Sequence, residues 1–239
     1  MNMASPVTSN QETLCSLTTE LNGVNVVCDF RGVLCLPNSK TLIVSDLHLE
    51  KGAAFARRGL LHPPYDTSQT LTKLNQCIDY YAPQTVISLG DSFHDQLGSE
   101  FLPEKARAQL KQMQTGRDWI WISGNHDPKP HKSIEGDCME EVTCETLQLR
   151  HEPSDDDKIG EISGHLHPAA VITRRGKSVR RACFATDGNR LIMPSFGATT
   201  GGLSLKHKAF KGLFDTKNLF AHVLGKEQIY PISWSKMRG

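Results

Sequence analysis

The chain has 239 residues, a formal net charge of +1 and 38% hydrophobic residues, enough for one sizeable α/β domain or two small ones whose core needs no disulfide staples. The balanced charge excludes a molecule-wide field for a polyanion, so a nucleic-acid or phosphate partner would have to meet a local patch. Seven cysteines, an odd number without a Cys-x-x-Cys pair, exclude a secreted disulfide framework and a zinc–thiolate site and point to reduced thiols in the cytoplasm.

Residues 1–12 are polar and are expected to be mobile, with one domain over 13–239. They lack the charged and apolar regions of a signal peptide, and no apolar stretch is long enough to span a membrane. Val24 to Phe30 and Gly32 to Leu36 read as two strands tightly joined, "PNSK" at 37–40 as a turn, and "TLIVSD" at 41–46 as a buried strand. A short helix follows in "LEKGAAFARRG". In 66–83 a capping residue stands near the start, Leu71, Leu74, Ile78 and Tyr81 recur at helical spacing, and Pro83 closes the run, so an amphipathic helix is predicted.

"TVISLGD" is the next buried strand, "PEKARAQLKQMQTG" a helix with proline at its start and glycine past its end, and "WIWISGNHD" a further strand. One strand is expected over Val142 to Leu149, a solvated acidic loop over "EPSDDDK", and another buried strand in "IGEISGH". "AVITRR", "RRACFATDGNRLIMPS" with its Asp-Gly turn, and "QIYPISW" read as later strands. Early strands alternate with helices and late strands follow one another, the pattern of an α/β domain with a strand-rich second half.

Four of these apolar strands stop at residues that bind metals. "TLIVS" ends in Asp46-Leu47-His48, "TVISL" in Gly90-Asp91, "WIWIS" in Gly124-Asn125-His126-Asp127, and "IGEIS" in Gly164-His165-Leu166-His167. Ligands in open α/β sheets bind beyond the carboxyl ends of strands, on loops held by a rigid scaffold. The side chains offered are nitrogen and oxygen donors without thiolate, which suits manganese, iron or zinc. About seven donors exceed the need of one tetrahedral ion, and two ions sharing a carboxylate suit in-line displacement at phosphorus.

These motifs, in this order, resemble the calcineurin-like metallophosphoesterase family, over about residues 41–168. With "VSDLHLEKG", "GDSFHD", "SGHLHPAA" and "MPSFGATTGGL" the chain is similar to the bacterial ligase-associated phosphoesterases of that family. The resemblance implies a four-layer αββα sandwich and a dinuclear phosphoesterase that attacks phosphate esters with a metal-bound hydroxide. It implies a phosphodiesterase or nuclease linked to DNA repair, with a phosphatase for nucleotides or small esters as the alternative and a non-catalytic scaffold as a third. It also implies two divalent ions, manganese by family habit with zinc or iron as alternatives. DNA is a candidate substrate, functional association with a DNA ligase and an Lhr-type helicase is implied, and homo-oligomerisation stays open.

Carried over position by position, the resemblance assigns one ion to Asp46, His48 and His167, the other to Asn125, His165 and a lone histidine, and Asp91 to both. Two residues qualify as the lone histidine, His131 and His151. His151 is preferred because it follows an apolar strand as the other ligands do, although Glu152-Pro153 stands where the family more often has glycine. His126 is the implied general acid. Asp95 or Asp127 is a candidate to orient a histidine, with loop capping the alternative for Asp127, and His94 is expected to touch ligands or substrate rather than metal. Lys51, Arg57 and Arg58, then Arg174, Arg175, Arg180 and Arg181, then Lys206, Lys208 and Lys211 are three basic groups that could hold a polyanion, a solvated surface being the plainer reading.

Overall fold

A computed structural model describes residues 15–60, 65–127, 133–156, 159–174 and 177–237. The expectation of a mobile 1–12 segment and the candidate His131 lie outside the described residues.

Two sheets lie face to face. The first has seven strands in chain order: β1 (Ser16–Leu21), β2 (Val24–Asp29), β3 (Leu34–Leu36), β4 (Thr41–Val44), β5 (Thr85–Leu89), β6 (Asp118–Ile122) and β7 (Asp137–Met139). Strands β1 to β4 are antiparallel, and β4 to β7 run parallel. Strands β4, β5 and most of β6 are buried on both faces, which is why they read as continuous apolar runs, whereas the edge strand β7 is exposed. Alternation still sorts the side chains. Leu42, Val44, Val86, Trp119 and Trp121 pack with the helices, whereas Ile43, Ile87, Leu89 and Ile122 point into the space between the sheets.

The helices α1 (Lys51–Arg57), α2 (Asp66–Tyr81), α3 (Gln96–Glu100) and α4 (Glu104–Gln114) form the outer layer on the first sheet. Leu71, Leu74, Cys77 and Ile78 of α2 and Leu110 and Met113 of α4 supply its apolar side. The capping residue expected at the start of α2 serves a neighbour instead. Asp66 lies inside the helix, buried, and its Oδ2 accepts from the Gly52 amide at 3.1 Å, while Thr67 Oγ1 accepts from the Glu50 amide at 2.7 Å. Two unpaired donors at the start of α1 are satisfied this way.

The second sheet contains β8 (Glu141–Cys144), β9 (Leu147–Arg150), β10 (Glu161–Ser163), β11 (Pro168–Arg174), β12 (Lys177–Thr186), β13 (Arg190–Ile192), β14 (Leu203–Ser204), β15 (Phe220–Leu224) and β16 (Ile229–Ser233). Its β9, β10 and β13 are parallel neighbours. Leu147, Leu149, Ile162, Phe184, Leu191 and Met193 meet the first sheet in one core. The fourth layer is thin: among the described residues the outer face is covered by a segment carrying Leu205, Phe210 and Leu219, and by Trp234 and Met237, with 3₁₀ turns rather than an α-helix.

The sequence reading differs from the fold in definite places. Strand β1 was not anticipated, although Asn22-Gly23, both at positive φ, makes the hairpin turn to β2. The single strand expected over Val142 to Leu149 is a hairpin, β8 and β9, broken at Glu145 with φ of 57°. Strand β15 and helix α3 were also not anticipated.

Candidate metal centre

The carboxyl ends of the parallel strands in both sheets open onto one rim. Asp46 follows β4, Asp91 follows β5, Asn125 and His126 follow β6, His151 follows β9, and His165 and His167 follow β10. The backbone there is strained: Asp46, His48, Asp91, His165 and His167 have φ of 54°, 45°, 46°, 64° and 44°. A left-handed conformation costs a non-glycine residue about 1–2 kcal/mol, and such strain concentrates where the fold over-determines a working geometry. In Asp46-Leu47-His48 and His165-Leu166-His167 the strained residues flank a leucine, and Leu47 is fully buried.

One cluster joins Asp46, His48 and His167, drawing on both sheets. The Ser45 hydroxyl and the His165 amide both donate to Asp46 Oδ2, the latter at 3.1 Å. That leaves Oδ1 without a hydrogen-bond donor, 3.0 Å from His167 Nε2, which has no hydrogen-bond partner either. Burial disfavours charge on both groups, but their mutual attraction wins: Asp46 is held below the usual carboxylate range and His167 above the usual imidazole range. Burial first, with the neighbouring His167 and His126, pushes His48 down to about 4, against the pull of Asp46 and Asp91.

Residues 195–203 strap this cluster from behind. Ser195 Oγ and the Gly197 amide donate to the Asp46 carbonyl at 2.9 and 3.1 Å, the Phe196 amide donates to Ser45 O at 2.8 Å, and the Leu203 amide to His167 O at 2.8 Å. Helices α1 and α2 tie the strap down. Lys73 Nζ donates to Phe196 O at 2.7 Å and sits 3.7 Å over its ring, Lys51 Nζ donates to Thr199 O, and Thr70 Oγ1 accepts from the Ala198 amide.

The other cluster joins Asp91, His151 and His165. His151 is buried, and its Nδ1 pairs with the Leu89 carbonyl at 2.7 Å, which turns Nε2 towards Asp91 Oδ1 at 3.5 Å and His165 Nδ1 at 3.2 Å. Desolvation first, then the neighbouring His151, lowers the His165 pKa. Gly90 permits this approach: its φ is +76°, and a Cβ would lie 2.5 Å from His151 Nδ1. Gly124 is needed for closeness rather than for an unusual exit, because a Cβ there would collide with the Asp91 amide and carboxylate.

The remaining sequence-based candidates sit around these clusters. Asn125 is exposed, and its Nδ2 donates to Glu152 Oε1 at 2.6 Å, at the edge of the second cluster. His126 is in neither cluster. Its amide donates to Asp91 Oδ1 at 2.9 Å, its Nδ1 pairs with the His94 carbonyl at 3.0 Å, and its Nε2 lies 3.9 Å from Asp91 Oδ2. The His94 ring stacks between Phe55 and His126, with centroids 5.4 and 5.5 Å away. Asp95 forms an ion pair with Arg57 at 2.6 Å and pairs with no histidine among the described residues. Asp127 is buried and clamps the loop, accepting from the Phe93 amide at 2.9 Å, and desolvation raises its pKa well above the ordinary range. Sequence reasoning had no role for Ser45, the strap or Glu152. The hydroxyl-rich "SFGATTGG" stretch and the Glu-Pro after His151 were the available signals.

The donors fit divalent cations. Asp46 Oδ1, His48 Nδ1 and His167 Nε2 are buried without hydrogen-bond partners, a costly arrangement unless something satisfies them together. Nitrogen and oxygen donors about 3 Å apart are spaced as neighbours on one ion at bond lengths near 2.0–2.2 Å. A cavity of about 510 Å³ in the outer layer, lined by Lys206, Lys208, Lys211 and Phe210, lies apart from these residues.

A family model described as calcineurin-like phosphoesterase matches residues 39–187. Among solved structures, the chain is similar to the Pseudomonas putida nuclease MPE, with 23% identity and a TM-score of 0.71 over 91% of this chain and 100% of that one. The phosphoesterase YfcE from E. coli matches at 14% identity and a TM-score of 0.39, over 81% of this chain and 98% of that one. No curated protein sequence matches the chain.

Proposed function

Because the chain belongs to the calcineurin-like phosphoesterase family and is a metal-dependent hydrolase of phosphate esters, we propose that it is a dinuclear phosphodiesterase or nuclease acting on DNA. The pair of facing donor clusters carries this reading. Asp46, His48 and His167 would hold one ion, Asn125, His151 and His165 the other, and Asp91 both. When bound, the ions would supply a water of lowered pKa and Lewis-acid stabilisation of phosphoryl oxygens.

The chain's own side chains do the rest. The His94 carbonyl fixes His126 through Nδ1, so that Nε2 faces the clusters and can deliver a proton to the leaving oxygen. Asp91 takes the His126 amide on Oδ1 and thereby ties this acid to the shared ligand. Asn125 adds an amide oxygen without further negative charge. Asp127 holds the loop that carries both.

We read residues 13–239 as one domain and manganese as the working metal, with zinc or iron as alternatives. The odd number of cysteines, with no Cys-x-x-Cys pair, favours a cytoplasmic setting. A role beside a DNA ligase and an Lhr-type helicase in repair rests on the sequence resemblance, and the similar P. putida structure is that of a nuclease, which favours a nucleic-acid substrate. One observation favours small phosphate esters as the second reading: Lys51 and Arg57 of the first basic group are committed to Thr199 and Asp95.

Metal-loaded protein assayed in parallel on single-stranded DNA, nicked duplex, a cyclic nucleotide and a monoester separates the two. Cleavage of a DNA substrate is expected. Turnover of the monoester alone would overturn the diesterase reading.

A further inference from the structure

Glu152 occupies a place for which the metal set has no need. It follows His151 directly, at the mouth of a cleft of about 280 Å³ that Gly124, Asn125, Arg150 and His151 also line. Its Oε1 accepts from Asn125 Nδ2 at 2.6 Å, a short hydrogen bond of the charge-assisted kind. The same oxygen lies 3.9 Å from His165 Nε2. His165 Nδ1 meanwhile points at His151 Nε2, into the second cluster. Glu152 thus stands behind two donors at once, on the side away from the cluster centre. Among the described residues no lysine or arginine lies within ion-pair distance of it. The nearby Arg150 turns to Glu141 and Glu161, at 3.7 and 3.8 Å.

We propose that Glu152 is the positioning residue of the second metal site. It holds the Asn125 amide by its nitrogen, so that the amide oxygen is the atom left to face the ion. It also fixes the His165 ring with Nδ1 inwards by drawing the Nε2 side towards a carboxylate. A carboxylate behind a ligating imidazole sets the tautomer and raises ligand basicity, and its loss typically weakens metal affinity 10–100-fold. The first cluster has no contact with Glu152, so the effect is confined to one ion. This inference rests on the dinuclear reading.

Metal-free wild type, Glu152→Ala and Glu152→Gln are titrated with Mn²⁺, following free Mn²⁺ by electron paramagnetic resonance, with circular dichroism to confirm folding. Wild type is expected to bind two ions. Glu152→Ala is expected to bind one as wild type does and the other about 10–100-fold more weakly. Glu152→Gln keeps an acceptor for Asn125 but removes the carboxylate behind His165, and is expected to recover only part of that loss. Two unchanged binding steps in Glu152→Ala would overturn the positioning role. So would a Glu152→Gln variant as weak as Glu152→Ala, because the acceptor kept for Asn125 would then count for nothing. A wild type that binds fewer than two ions contradicts the dinuclear reading, and Glu152 falls with it.

Discussion

The two donor clusters are built differently. Asp46 is fully buried and strapped by residues 195–203, with Oδ2 held by Ser45 and His165 and Oδ1 turned towards His167. The second cluster rests on one buried imidazole, His151, while Asn125 and Glu152 stand at an open cleft. A closed site holds an ion by rigidity, and an open one leaves room for substrate. The first cluster is therefore expected to anchor an ion, and the second to meet the ester.

Asp91→Ala breaks the comparison most severely, because Asp91 is the one side chain assigned to both clusters. Both ions are expected to leave, with turnover falling about 10³-fold or more, the scale of losing a preorganised electrostatic stabiliser. Metal analysis that finds two ions still bound would sink the bridging assignment.

His126→Ala acts on neither cluster. It should keep both ions and lose about 10²–10⁴-fold in rate on alkyl esters. Activated aryl esters, which need no proton on the leaving oxygen, should suffer less. Equal loss on the two substrate types counts against an acid role.

Gly90→Ala presses on the second cluster alone. A Cβ at positive φ beside His151 is expected to cost about 2–4 kcal/mol of stability and to weaken one ion. Chemical denaturation with metal titration reads both, and equal weakening of the two ions would erase the distinction between clusters.

Lys73→Met cuts an anchor of the strap and tests the first cluster. A buried charged hydrogen bond to Phe196 O is lost, at about 1.5–3 kcal/mol, and the first ion should bind more weakly while the second holds.

The smallest effect separates acid loss of the fold from acid loss of metal. His222 is buried outside both clusters, and desolvation lowers its pKa to about 4. A native pKa below the unfolded one means that the unfolded chain binds the extra proton. Its contribution is complete above pH 6.5 and is lost as pH falls towards 4, reaching about 2 kcal/mol near pH 5. His222→Phe should narrow the gap in thermal midpoint between pH 8 and pH 5 by about 4–8 °C. An unchanged gap contradicts the assignment.

Much of the rim was legible because it combines two independent signals. Continuous apolar runs locate buried strands, and the donors after them have few other reasons to end a strand. His151 was legible by position, at the end of β9. The Glu152 contact was not, because only the pairing of β9 with β10 brings it to His165, and only the meeting of the two sheets brings it to Asn125. Asp127 could not be assigned from its motif, since a metal-orienting and a loop-clamping carboxylate look alike until the Phe93 amide is seen to reach it. The thin outer layer escaped for a different reason: Leu205, Phe210 and Leu219 follow no helical or strand period, so no local pattern announces that they cover a sheet.

The central claim is that two ions share Asp91 at this rim. Anomalous diffraction at the manganese edge, from crystals soaked in Mn²⁺, tests it most directly. Two peaks are predicted, one among Asp46, His48 and His167 and the other among Asn125, His151 and His165, with Asp91 touching both. A single peak, or two peaks of which only one contacts Asp91, would contradict the account.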